Sequence, residues 1–521
     1  MARSFAVAQN YRKASVQYDQ LIAIDPEFTI PPRERARILF SDHQFSAART
    51  QYNVMLSPTP EDQLVGQMHY HAQRDPRLRQ VFGPYLGGHM NGPGLRAELA
   101  RLAGSCPDEE ARIAAHRLIC DYDATIAWQE AFRLERDAKE LKGYRDYMAI
   151  PQYNAINQFE PTNAETLFDE GQVYGALKMT RAALTWYANT QAVDPTHRDS
   201  AVASERASAE ISPKLDVRGE WFSQRGRTGI ASIDRQRYIT AVSLPLGDEN
   251  EYVQFGYMRM AYNPLDDRQL WGNAPFIRAQ KKWDDNRLMT YGQVNLEQFR
   301  DRFETRPTFD LGYWYDHNDV IRTRGGAFLE NVAENGESMR QDIHRYGLYT
   351  GADVRPTRTW AFGGTATYAH YSDDNDAFIG FLYNEVSLSL PPKQLKLVQR
   401  ATGWSYRETT RFPTEPPDPN NIRGAVHPYF SPDHFGSLEC RVEWWHWLSR
   451  DYFTHSNQCW YSLQYGIATD KRMVTYHNFR ALANWDINSC FSVGVEASTQ
   501  QSSEYDMYSA MAYLQIRFLG P

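Results

Sequence analysis

Cysteine is scarce in this chain. Five in 521 residues is an odd count that leaves at least one thiol unpaired and excludes a disulfide-built scaffold. A long hydrophobic run is missing too: no stretch reaches the ~18 apolar residues of a spanning helix, and the mean hydropathy is -0.63. Positive charge is not in excess, since the formal net charge is -8 and the pI about 6.0, so nucleic acid is not expected as a partner. Glycine shows no Gly-X-Y period, which excludes collagen. Motifs of catalysis are absent as well: there is no phosphate-cradling glycine loop, His-Glu-x-x-His, Cys-x-x-Cys or Gly-x-Ser-x-Gly elbow. No catalytic residue, metal or cofactor is therefore expected. The nearest nucleophile pair, His427 with Ser431, lies in a proline-rich stretch with no acid to orient the histidine. Met1 to Gln9 carries no apolar core of a secretory signal, so either the chain stays in the cytoplasm or a signal peptide lies upstream of Met1.

What is present divides at about residue 212. Before it, a 34-residue shift aligns Tyr11 with Phe45, Ala14 with Ala48, Tyr18 with Tyr52 and Pro26 with Pro60, and later Tyr153 with Tyr187 and Pro161 with Pro195. That period is the spacing of tetratricopeptide (TPR) helix pairs. The best copy reads Leu167, Gly171, Tyr174, Ala183, Tyr187 and Pro195: small residues where two helices approach closely, tyrosines filling the space between repeats, a proline stopping the second helix. Tyr18, Tyr52, Gly171, Tyr174, Ala183 and Tyr187 are thus the expected repeat-packing residues. Residues 62–107 fit no copy, and Pro151 falls inside a helix.

From residue 213 the period changes to two, and 11 of the 13 tryptophans lie beyond this point. Phe309, Leu311, Tyr313 and Tyr315 alternate with Asp310, Gly312, Trp314 and Asp316; Ala510, Ala512, Leu514, Ile516 and Phe518 alternate with Ser509, Met511, Tyr513, Gln515 and Arg517. Fifteen such strands are clear, sixteen with Val320 to Glu330, at about nineteen residues per strand and turn. This exceeds the rhythm of soluble sheets and matches a transmembrane barrel, which hydropathy does not detect. A soluble β-sandwich is the competing reading.

The final strand resembles the C-terminal strand of outer-membrane barrels, although Leu519-Gly520-Pro521 follow its Phe518. Residues 428–432, Pro-Tyr-Phe-Ser-Pro, follow His427 in a long loop over 407–434 and resemble a segment in the barrel of the cellulose-synthase C subunit. With repeats upstream and a barrel downstream, the chain resembles the exopolysaccharide-export porins, which include the cellulose, poly-N-acetylglucosamine and Pel exporters. The resemblance implies a periplasmic TPR-like α-solenoid over 1–212 that docks periplasmic or inner-membrane synthesis proteins. It also implies an outer-membrane barrel of about 16 strands over 213–521, in contact with lipid and passing a polysaccharide chain. An outer-membrane receptor or adhesin on a TPR scaffold and a soluble TPR plus β-sandwich protein are the alternatives.

Strand alternation assigns faces. Glu439, Arg441 and Glu443 share one face of a strand, with Leu438, Cys440, Val442 and Trp444 on the other. The inward set is Asp310, Trp314, Asp316, Arg441, Glu443, Arg480 and Glu496, a mixture suited to sugars, whose hydroxyls bond to charged groups while their C–H faces stack on rings. A two-residue turn at Ser449-Arg450 would place Cys440 opposite Cys459 and permit a bridge.

Overall fold

The computed structural model describes residues 2, 10–25, 30–225, 232–264, 269–300, 305–334, 338–339, 341–408, 428–449 and 453–519. Pro26, His427, Arg450 and the last two residues lie outside them, as does most of the proline-rich loop. The described residues form helices followed by a closed antiparallel β-barrel, and they fall into two compact units: Met1–Lys142 with Met148–Glu170, and Gly143–Tyr147 with Gly171–Pro521. Among them no helix is long and apolar enough to cross a membrane.

The helices are α1 Tyr11–Ile24, α2 Ile30–Ser41, α3 Phe45–Leu56, α4 Pro60–Arg74, α5 Pro76–Leu86, α6 Gly92–Ser105, α7 Glu109–Leu141, α8 Asp146–Phe159, α9 Ala164–Ala176, α10 Thr180–Val193 and α11 Arg198–Glu210. Local chemistry sets several starts. Thr59 Oγ1 accepts from the Asp62 N–H (3.1 Å) while the Asp62 carboxylate accepts from the Thr59 N–H (2.9 Å), a reciprocal cap on α4. Asp108 caps α7, with Glu109 and Glu110 in its first turn. Residues 62–107 match no repeat copy, yet they form α4–α6 and carry a large apolar cluster with Leu64, Met68, Phe82, Leu95 and Leu99 at its centre. A core needs helical spacing of apolar residues, not a particular motif. Helix α7 runs for 33 residues, nearly one whole period, because 109–141 contains neither glycine nor proline.

A second core in this unit is electrostatic. Glu135 of α7, fully buried, accepts from Arg37 Nε (2.6 Å), Arg33 Nε (2.9 Å) and the Tyr52 hydroxyl (2.7 Å). Burial alone would raise its carboxyl, but Arg37 and Arg33 hold it well below the usual carboxylate range. The expected packing residues Tyr18 and Tyr52 are both buried.

The barrel strands are β1 Lys214–Arg225, β2 Ile233–Pro245, β3 Tyr252–Pro264, β4 Leu270–Trp283, β5 Leu288–Phe299, β6 Arg306–Asp316, β7 Ile321–Asn331, β8 His344–Thr357, β9 Trp360–Tyr371, β10 Asp376–Ser387, β11 Lys393–Tyr406, β12 His434–Trp447, β13 Cys459–Asp470, β14 Thr475–Asp486, β15 Phe491–Ser502 and β16 Asp506–Arg517. Each pairs with its sequence neighbours, and β1 closes on β16. Closure leaves no open edge, which is the condition for strands to live in lipid. The sixteenth strand is β7, formed by the segment read as Val320 to Glu330.

The Cys440–Cys459 pairing expected from a two-residue turn does not occur. In the β12–β13 register Cys440 faces Ile467, and the connection spans Leu448 to Gln458. The segment holds no Asn-Gly or Asp-Gly pair to force a tight turn. Both thiols are free.

Candidate functional site

Register around the ring assigns every strand residue to one of two faces. Large apolar side chains that are exposed fall on the outer face, including Val217, Val294, Leu311, Leu348, Leu382 and Val442 near mid-strand. Exposed aromatics gather toward both ends of that face: Trp283, Trp360, Trp485 and Phe491 near the end where the chain enters, Tyr346, Tyr368 and Phe378 near the other. An apolar band between two aromatic girdles is the signature of a bilayer-spanning barrel.

Opposite parity places the other residues in the lumen. Arg441 donates to Glu439 (2.8 Å) and Gln464 (3.3 Å) and lies 3.9 Å from Glu443. Glu443 accepts from the Trp445 indole N–H (3.2 Å), and Arg400 stands 4.0 Å from both Glu439 and Glu443. Arg480 bridges to Glu496 (2.8 Å). The register links these strands directly, since Glu443 faces Gln464 and Gln464 faces Arg480. Four of the seven inward residues therefore share one wall.

The other three are on β6, six strands from β12 around the ring. Asp310 lies beside the hydroxyls of Tyr291 and Tyr349, which touch each other. Trp314 packs 5.6 Å from Tyr291, centre to centre, and Asp316 pairs with Arg322. Gly312 and Gly326 leave the room this tyrosine pair needs, because a Cβ at either would strike the Tyr349 hydroxyl.

Several lumen residues escape a reading by sequence. Trp445, Trp447 and Trp460 form an inner patch near the chain-entry end; the ring of Trp445 lies 6.2 Å from Trp447 and 5.2 Å from Trp460. Parity with Arg441 and Glu443 is the signal that identifies the first two. At the far end the Pro-Tyr-Phe-Ser-Pro segment folds against the lumen wall. Tyr429 stacks on Tyr371 at 4.5 Å and donates to Asp373 (2.9 Å), while Phe430 meets Trp404 and Phe435 edge-on. Ser431 is buried there. The lumen retains a cavity of about 750 Å³ walled in part by Phe222, Arg235, Phe381, Trp404, Phe430 and Arg441.

Helical segments of the same unit rim the chain-entry end. Tyr144 donates to the Pro356 carbonyl (2.6 Å), and the Tyr147 N–H donates to Asp319 (3.0 Å). On α11, Arg206 pairs with Glu210 (2.9 Å) and Asp486 (3.2 Å), and Glu210 also takes Lys214 (2.6 Å) and Arg517 (3.2 Å) from β1 and β16. Burial would raise the Glu210 carboxyl, but Lys214, Arg206 and Arg517 lower it. His455, buried in the β12–β13 connection, sits against Gly175 of α9, 3.4 Å from the Tyr187 hydroxyl and 3.1 Å from Glu249; Lys178 reaches the same Glu249 at 2.8 Å. Despite burial, His455 and Lys178 hold the Glu249 carboxyl well below the usual range. Gly171 lies against the Tyr187 ring, Ala183 and Tyr187 are fully buried, and Tyr174 is half-buried. The Lys178–Glu249 pair before α10, the Arg181 N–H donating to Asp248 (2.7 Å) and the ion pairs of α11 with the strand ends at Lys214, Asp486 and Arg517 explain why these helices group with the strands.

No protein-family model matches the chain, and no curated protein matches it. Among solved structures it is similar to one described as a bacterial polysaccharide outer membrane secretin, with 14% identity over 59% of this chain and 99% of that one and a TM-score of 0.45. OprD of Pseudomonas aeruginosa is similar at 10% identity over 59% of this chain and 96% of its own, TM-score 0.30. CdiB from Acinetobacter baumannii is similar at 9% over 58% and 60%, TM-score 0.33. Those scores are low, and the class follows from this chain's own faces: a 16-stranded transmembrane β-barrel of the outer-membrane kind.

Proposed function

We propose that the chain is an outer-membrane porin that exports a polysaccharide, with residues 1–212 a periplasmic TPR-like solenoid that docks synthesis or modifying proteins and residues 213–521 the pore. The observation that carries the reading is the wall of β10–β15, where ion-paired carboxylates and guanidinium groups alternate with aromatic rings along the lumen. Such a wall offers many weak contacts, each strong enough to favour entrance and weak enough to permit release. It makes and breaks no bond. Arg441, Glu443, Arg480 and Glu496 on this wall, with Asp310, Trp314 and Asp316 on β6, are the proposed polymer contacts. The helix pairs of the first half, with Tyr18, Tyr52, Gly171, Tyr174, Ala183 and Tyr187 between them, suit a concave protein-binding surface.

The test is deletion in the native host. Loss of the whole chain should trap polymer inside the outer membrane, and loss of residues 1–142 alone should leave a heat-modifiable barrel in the membrane while export stops. Unchanged polymer at the cell surface in the full deletion overturns the export reading.

A further inference from the structure

The lumen wall carries information about polymer charge. Along the middle of β10–β15, four cations meet four carboxylates: Lys396 with Glu385 at 2.8 Å, Arg441 with Glu439 at 2.8 Å, Arg480 with Glu496 at 2.8 Å, and Arg400 between Glu439 and Glu443 at 4.0 Å from each. At the two ends of the wall the remaining acids are also matched, Asp470 by Arg472 and Asp486 by Arg206. A polyanion or polycation threading this wall meets no net field, and to gain an ionic contact it must break a pair already formed. Hydroxyl groups face no such penalty, because paired carboxylates and guanidinium groups keep spare acceptor sites and N–H donors.

Rings supply the other half of a sugar site. Near the chain-entry end Trp445, Trp447 and Trp460 present half-buried indole faces into the lumen, and the Trp445 N–H is already given to Glu443, which leaves its ring to act by stacking. Phe381 and Tyr383 stack at 6.2 Å farther along the same wall, and Trp404 and Phe435 follow at 5.2 Å. Flat apolar surfaces next to satisfied polar groups are complementary to pyranose rings, whose C–H faces are apolar and whose rims are polar.

Resting on the export reading, we propose that the transported polymer is an uncharged pyranose chain and that Trp445, Trp447 and Trp460 form its first stacking platform. The full-length protein, purified in detergent, is titrated calorimetrically with cellohexaose, with hexagalacturonate as a polyanion and with fully deacetylated chitosan hexamer as a polycation. Cellohexaose should bind and the two charged hexamers should bind at least tenfold more weakly. Trp445→Ala and Trp460→Ala should each weaken cellohexaose about tenfold, and Trp445→Phe, which keeps a stacking face, should recover most of the loss in a barrel that still migrates anomalously until heated. Lys396→Gln leaves Glu385 without its cation and should give chitosan hexamer a measurable affinity. Tighter binding of either charged hexamer, no binding of cellohexaose, or Ala variants that bind like the parent would overturn the proposal. The outcomes stay separable from export itself: surface polymer that proves charged in a chain-dependent strain sinks this inference and leaves export intact, while cellohexaose binding without export sinks the export reading and leaves a neutral-glycan binding site with no transported polymer.

Discussion

Both units bury charge, and they do so to different ends. In the helical unit Glu135 is sealed from water and held by Arg33, Arg37 and Tyr52, so its site is closed to any solute. In the barrel Arg480 and Glu496 form an equally short pair, yet the arginine side chain keeps 39% of its surface exposed to the lumen. The first arrangement fixes how α2, α3 and α7 meet. The second tiles a wall. Chemistry alone does not distinguish a structural ion pair from a transport surface; access does.

The largest effect should come from opening the sealed pair. Glu135→Ala removes the buried carboxylate that Arg33 and Arg37 share, leaving Arg33 with Glu160 and Arg37 with Glu34, and should cost up to about 3–5 kcal/mol. Chemical denaturation followed by helix signal should show an early transition of the helical unit, while the barrel still shifts on gels only after heating. Simultaneous loss of both would show that the units do not fold separately.

Next is the distinction between faces. Leu311→Arg places a charge against lipid near the middle of β6 and should cost roughly 2–4 kcal/mol, whereas Asp310→Arg points into water and should leave insertion intact. Denaturant titration of barrels in vesicles measures both. Tolerance of Leu311→Arg with failure of Asp310→Arg would invert every face assigned above, because one residue of slip exchanges them all.

That dependence also explains what was legible in the sequence. Period-two alternation set the strands and even the weak β7, since one face must be apolar for closure in lipid. The inward set follows from the same parity. The Cys440–Cys459 pairing failed because loop length is set by packing of residues 453–458 against other groups, His455 among them, which no local pattern reports. Alternation already separates outward Trp444 from inward Trp445 and Trp447, but the patch they form was hidden because only the register brings Trp460 of the next strand opposite Trp447. Helix α7 escaped because a 34-residue frame expects a turn where no glycine or proline breaks the chain. Ion pairing across strands, as between Arg400 and Glu439, requires a register that sequence does not print.

A smaller effect separates burial with a partner from burial without one. Among the described residues Glu170 receives the Asn157 amide and, unlike Glu135, no cation; burial pushes its carboxyl up to about 8, more than that hydrogen bond lowers it. A raised folded value means the contribution to stability is full below the unfolded carboxylate range, near 4.5, and is lost as pH rises through about 8. The helical unit should therefore melt progressively lower between pH 5 and pH 9. Glu170→Gln should flatten that slope and add on the order of 1–3 kcal/mol at alkaline pH. A variant whose melting temperature still tracks pH like the parent would place the titration elsewhere.

The smallest stability change belongs to the open wall. Arg480 and Glu496 face the lumen, so reversing one charge leaves two carboxylates that water can still screen. Arg480→Glu should alter stability by no more than about 0.5 kcal/mol. Its functional signature should be larger: planar-bilayer reversal potentials under a salt gradient should move toward cation preference, because one wall then carries two excess negative charges relative to the balanced parent. Glu496→Arg should move them toward anions. If both reversals leave selectivity unchanged while the pore conducts, ions pass along another side of the lumen, and the Asp310–Trp314–Asp316 wall of β6 becomes the surface to reverse next.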